Sequence, residues 1–143
     1  GFPIFKLLMV PGLGSILPYF SPRIATAGSV KRAYGDGARV SEELIDRYDR
    51  LNRRRGNMQA LRDRISQVND AEGWELARSV KQPVLLLWGE RDRVTPVTMA
   101  DDFLAMMPQA NLVVLPGLGH VPMEEDPKAS LEPVAKFLMH SGW

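Results

Sequence analysis

The chain has 143 residues, 45% hydrophobic and 24% charged, with a formal net charge of +1. These values fit a globular domain with a real core and give no general reason to expect a nucleic-acid partner. The absence of cysteine excludes disulfides and thiolate chemistry, and two histidines are too few for a His-rich metal site.

The first twenty residues are rich in apolar side chains and carry one charge, Lys6. Pro3, Pro11, Gly12, Gly14 and Pro18 interrupt the stretch, so it reads as a buried or lid segment rather than a membrane span. Phe2 to Val10 fits two helical turns, and Ser15 to Phe20 another short helical piece ended by Ser21-Pro22. Arg23 to Val40 has mixed polarity, with a turn expected at Gly35-Asp36-Gly37. Ser41 is an N-cap for a helix whose first turn carries Glu42 and Glu43, whose apolar face is Leu44, Ile45, Tyr48 and Leu51, and whose end falls at Arg55-Gly56. Arg53 to Arg55 read as a solvated helix end. A second helix opens at Asn57 with a stripe of Met58, Leu61, Ile65 and Val68. Asn69 to Gly73 reads as a polar connector, and Trp74 to Lys81 leads to the stop at Pro83.

Val84 to Leu87 is a short apolar run that predicts a buried parallel strand. Asp92 follows in a loop. A helix is expected from Pro96 to about Met107, with Met99, Ala100, Phe103, Met106 and Met107 inward. Asn111 to Leu115 predicts a second strand, and Gly117-Leu118-Gly119 a tight loop presenting His120. Glu124 and Glu125 are assigned to helix-end electrostatics. Asp126 and Pro127 start a last helix with a buried stripe of Leu131, Val134, Phe137 and Leu138; Pro133 argues for a bend or a late start. His140 is expected as a frayed surface residue. The organisation is a helical, loop-rich part, 1–78, and a β-α-β-α part, 79–143. Two parallel strands make a poor sheet by themselves, so the second part is expected to belong to a larger one.

Asp92 and His120 follow successive strands, where open parallel sheets gather their chemistry. A histidine acts as a general base when a carboxylate holds its tautomer and stabilises its charged form. Spacing alone also allows a turn-forming aspartate and a structural histidine. Trp88, at the end of the first strand, reads as core packing or pocket lining.

The segments LLLWGERDRVTP and GLGHVPMEEDP closely resemble the last part of the α/β-hydrolase fold. Gly89 and Asp92 fit its G-x-x-D setting for the acid. Gly119, His120, Pro122, Glu125 and Pro127 fit the loop that carries its histidine. Residues 1–78 look like the cap that the family inserts before the acid-bearing strand. The resemblance implies the C-terminal portion of an α/β-hydrolase parallel sheet preceded by a helical cap, with Asp92 and His120 as two members of a triad. It implies esterase-like hydrolysis of a small, fairly apolar substrate lined by Trp88, Leu8, Leu17 and Phe20, with no metal or organic cofactor. Family members carry the nucleophile in a G-x-S-x-G elbow upstream of the cap, and these 143 residues contain no such segment. The expectation is therefore a fragment that is inactive alone and needs a missing N-terminal hydrolase segment. Its exposed strand edge would favour self-association. A non-catalytic binding protein or one half of a two-chain enzyme is the first alternative. Dehalogenase, epoxide hydrolase or carbon–carbon hydrolase chemistry is the second, and an unrelated doubly wound binding domain the third. The working expectation for location is a soluble, cytoplasmic protein.

Overall fold

The computed structural model describes residues 23–67 and 70–141. The chain divides into two compact units, Gly1–Val30 with Ser41–Val68, and Lys31–Val40 with Asn69–Trp143.

In the first unit, α1 (Arg23–Ala33) contributes its part up to Val30. The mixed polarity of this stretch predicts no helix. Its buried residues, Thr26 and Val30, lie four apart on one face, too few to produce a visible apolar period. α2 (Glu42–Asn52) is capped by Ser41, whose Oγ accepts from the Leu44 N–H at 3.2 Å. Ile45 is its core residue, at 1% exposure. Arg23 ties the two helices together, donating to Asp46 at 2.7 Å and Glu42 at 2.5 Å. α2 ends earlier than expected. The Arg53 N–H still donates to the Asp49 carbonyl at 3.0 Å, but the Arg54 N–H reaches only to the Leu51 carbonyl at 3.1 Å and tightens the chain into a turn. Arg53 also pairs with Asp49 at 2.7 Å. Gly56, at φ 89°, serves this turn. α3 (Asn57–Ser66) begins where the sequence places it. Of its expected stripe, Leu61 is 40% exposed, while Val68 and the side chains of Met58 and Ile65 lie outside the described part. Leu8, Leu17 and Phe20, and the helical pieces expected around them, also lie outside the described residues.

The second unit carries the sheet. α4 (Asp70–Ser79) corrects the connector expected over 69–73: the helix begins at Asp70, and the one glycine near its start, Gly73, is tolerated. β1 (Val84–Gly89) and β2 (Ala110–Leu115) pair in parallel, from Val84 opposite Ala110 to Gly89 opposite Leu115. Among the described residues this sheet has two strands. β1 is therefore half-buried up to Trp88 rather than fully buried. Between the strands the chain makes a short 3-10 turn, Val97–Met99, with Pro96 as its N-cap, before α5 (Ala100–Met106). The helix expected from Pro96 thus starts late, and Met99 faces outward while Ala100 and Met107 are buried. Phe103 links the layers. Its ring lies 5.3 Å from Trp74 of α4 and 6.1 Å from Trp88 of β1.

α6 (Pro122–Glu125) is a single turn, followed by α7 (Pro127–His140). Asp126 caps α7, accepting from the Ala129 N–H at 2.9 Å, and Pro127 takes the first helical position. The helix runs through Pro133 without a late start. Its expected stripe is only partly inward. Val134 and Phe137 are half-buried, but Leu131 is 64% and Leu138 42% exposed, because Ser130 rather than Leu131 faces the interior. Among the described residues, no helix is long and apolar enough to cross a membrane.

Candidate active site

The site lies in the second unit, at the carboxyl ends of β1 and β2. The two loops there are joined by their backbones. Glu90 N–H donates to Leu115 O at 3.0 Å, and Arg91 N–H to Leu118 O at 2.8 Å. The Glu90 carboxylate accepts from the Gly117 N–H at 2.8 Å. Gly117 has φ 73°, a left-handed conformation that glycine adopts at little cost, and it turns the chain toward His120.

Three glycines allow the backbones to meet. A Cβ on Gly89 would overlap the carbonyls of Gly119 and Leu118. One on Gly119 would overlap the Ala33 carbonyl and the Gly35 nitrogen, and one on Gly35 would overlap the Gly117 carbonyl. The His120 N–H donates to Ala33 O at 2.6 Å. Glu125 closes the arrangement: its carboxylate accepts from the Gly119 N–H at 2.7 Å and the Gly35 N–H at 2.8 Å. Glu124 accepts from the Tyr34 hydroxyl at 3.1 Å. These acids fasten the histidine loop to residues 34–35, a correction to their reading as helix-end charges.

Asp92 is buried, with 5% of its side chain exposed, and every acceptor direction is used. Oδ1 accepts from the Val94 and Thr95 N–H groups, each at 2.8 Å. Oδ2 accepts from the Thr95 hydroxyl at 2.8 Å and lies 2.9 Å from His120 Nδ1. Burial pushes the Asp92 carboxyl up, but the bonds from His120, Thr95 and Val94 together outweigh it and hold the group below its ordinary value. A buried carboxylate is tolerated here because donors surround it. The imidazole of His120 is 40% exposed, so one side of the pair faces solvent. A carboxylate at Nδ1 makes that nitrogen the donor in the neutral ring and leaves Nε2 as the basic atom.

The indole of Trp88 donates to the Thr95 carbonyl at 2.8 Å. Trp88 thus fixes the acid's loop, and it also lines a cavity of ≈ 170 Å³ together with Asp92, Thr95, Gly119, His120 and Pro122. Sequence reasoning paired Asp92 with His120 and placed Glu125 in the histidine loop by resemblance, but missed Thr95 and the bonds that Glu125 makes. The D-R-V-T run carries a local signal for Thr95, since an aspartate commonly accepts from N–H groups two and three residues on. Glu125 has no such signal for its bond to Gly35, 90 residues away. His140 is exposed at the end of α7, against the Lys136 carbonyl. Among the described residues, no group of three or more His, Cys, Asp or Glu forms a cluster able to hold a metal ion.

Residues 3–132 match the Alpha/beta hydrolase family. The chain is 29% identical over 132 residues to the uncharacterized hydrolase YugF of Bacillus subtilis strain 168, covering 87% of this chain and 48% of that one. Among solved structures it is similar to a thermophilic esterase, at 26% identity and TM-score 0.63, over 85% of this chain and 48% of that one. It is also similar to a serine hydrolase involved in carbazole degradation, at 25% identity and TM-score 0.66, over 82% and 47%. The chain spans about half the length of these proteins. The parallel strand pair, the loops at its carboxyl end and the match over most of the sequence agree: the chain belongs to the alpha/beta hydrolase family.

Proposed function

We propose that this chain supplies the acid and the histidine of a serine hydrolase with esterase-like activity on a small, fairly apolar substrate. The observation that carries the reading is the 2.9 Å contact between His120 Nδ1 and a buried Asp92 whose other acceptor positions are filled. In this reading residues 1–78 form the cap, and Leu8, Leu17, Phe20 and Trp88 line the substrate. The nucleophile is a serine outside these 143 residues.

His120 Nε2 takes the serine hydroxyl proton as the oxygen attacks the ester carbonyl. The imidazolium then gives that proton to the departing alcohol, leaving an acyl-serine. Water enters, loses a proton to Nε2 and attacks the acyl carbon; the proton returns to the serine as the carboxylic acid leaves. Asp92 stays ionised throughout, holds the Nδ1–H tautomer and stabilises the imidazolium. The similarity to an esterase and to a serine hydrolase supports ester chemistry.

The test is hydrolysis of p-nitrophenyl esters of graded acyl length by the natural full-length protein. The expected result is turnover that falls by on the order of 10⁴-fold or more in His120→Ala. Undiminished turnover in that variant overturns the reading. Covalent labelling of an aspartate instead of a serine during turnover moves the assignment to dehalogenase or epoxide hydrolase chemistry. The 143-residue chain by itself is expected to show no His120-dependent turnover.

A further inference from the structure

We infer that Thr95 is a positioning residue for the Asp92–His120 pair: its hydroxyl spans both partners and fixes the proton on His120 Nδ1. The inference rests on the hydrolase reading above. Thr95 is held at three points before its hydroxyl is considered. Its N–H donates to Asp92 Oδ1, its carbonyl accepts from the Trp88 indole, and its ring-bearing neighbour Pro96 restricts its backbone. The hydroxyl oxygen lies 2.8 Å from Asp92 Oδ2 and 3.2 Å from His120 Nδ1.

The proton inventory decides the direction of these bonds. An ionised Asp92, held so by its donors, has no proton to give, so the hydroxyl donates to Oδ2. The hydroxyl proton is then committed, and the oxygen presents only lone pairs to Nδ1. Both neighbours of Nδ1 are therefore acceptors, and the nitrogen must carry the hydrogen. Asp92 alone supplies one such acceptor. Thr95 supplies the second, and it also pins Oδ2, the oxygen that the backbone N–H groups leave free. The Nδ1–H that stays in place while Nε2 takes and gives protons thus faces two acceptors.

The experiment compares Thr95→Val and Thr95→Ser in the natural full-length protein. Valine keeps the size and removes the hydroxyl; serine keeps the hydroxyl. The expected result for Thr95→Val is a kcat about tenfold lower with KM unchanged, the scale of one hydrogen bond to a charged group. The ¹⁵N-coupled, downfield Nδ1–H proton resonance of His120 is expected to broaden through faster solvent exchange. Thr95→Ser is expected to restore both. If Thr95→Val does not fold, Thr95→Ala against Thr95→Ser makes the same comparison. A kcat within twofold of the parent and an unchanged Nδ1–H resonance without the hydroxyl overturns the inference, as does equal loss in the serine variant. His120→Ala separates the two levels. If it abolishes turnover while the hydroxyl-free variants keep it, the Thr95 role falls and the hydrolase reading stands. If His120→Ala keeps full turnover, both fall.

Discussion

Four hydrogen bonds converge on the Asp92 carboxylate from three kinds of donor: two backbone N–H groups, one hydroxyl and one imidazole. Asp92→Asn keeps the shape but places an NH₂ against one of these donors. If the amide nitrogen faces Nδ1, it forces the other tautomer and moves the proton to Nε2, the atom that must be bare. The expected result in the full-length protein is a kcat lower by on the order of 10⁴-fold with folding retained, checked by ester hydrolysis alongside circular dichroism. The same bonds make the group a stability determinant at low pH. Its native carboxyl lies below the ordinary value of 3.8, so the folded state binds the proton less readily than the unfolded one. The stabilisation is complete above that ordinary value and is lost as pH falls through the lowered native value. Acid titration of the urea midpoint is therefore expected to fall more steeply below about pH 4 in the parent than in Asp92→Asn. Parallel curves for the two proteins would remove Asp92 from the acid transition.

At the scale of elements, the site depends on backbones approaching more closely than side chains permit. Gly89 ends β1, and a methyl there meets the carbonyls of Gly119 and Leu118, which belong to the histidine loop. Neither carbonyl can yield without moving the loop, because the Leu118 carbonyl is engaged by the Arg91 N–H and the His120 N–H is engaged by Ala33. Gly89→Ala is therefore expected to destabilise by at least the ~1–3 kcal/mol typical of overpacking, and to displace His120 from Asp92. A urea midpoint and kcat both within error of the parent would contradict this. The sequence made this part of the fold legible because its signals are local. Pro83 and Gly89 bracket one apolar run, Asn111 to Leu115 forms the next, ahead of Gly117, and Asp92 and His120 sit in the loops that follow. α1 was not legible, since only Thr26 and Val30 turn inward. Asp70 to Gly73 looked like a connector because acids and a glycine at a helix start have the composition of a loop. The clasp of Glu125 on Gly35 joins residues that no local pattern relates.

At the scale of the whole chain, the second unit leaves apolar surface uncovered. Val114 of β2, Met123 of α6, and Leu131, Leu138 and Met139 of α7 are all exposed. Leu131, Leu138 and Met139 are spaced seven and eight residues apart, so they share one face of α7. A charged pair, Lys136 with Glu132, accompanies them along the helix but does not cover them. Both strands of the two-stranded sheet are also edges among the described residues, with backbone groups available for pairing. An apolar helix stripe and an open strand edge both favour contact with a second molecule over contact with water. The 143-residue chain produced by itself is therefore expected to associate, with a light-scattering mass that rises with protein concentration. The two surfaces separate by mutation. Leu131→Lys with Leu138→Lys places two charges on the helix stripe and leaves the ladder intact. If the stripe drives association, the double variant is expected to lower the mass toward that of a monomer at the same concentration. If the strand edge drives it, the double variant associates as the parent does, while a proline placed on the free side of β2 reduces the mass. A parent chain whose mass stays monomeric across the concentration range would show that neither surface is sticky enough to matter. The exposed leucines would then be ordinary surface residues.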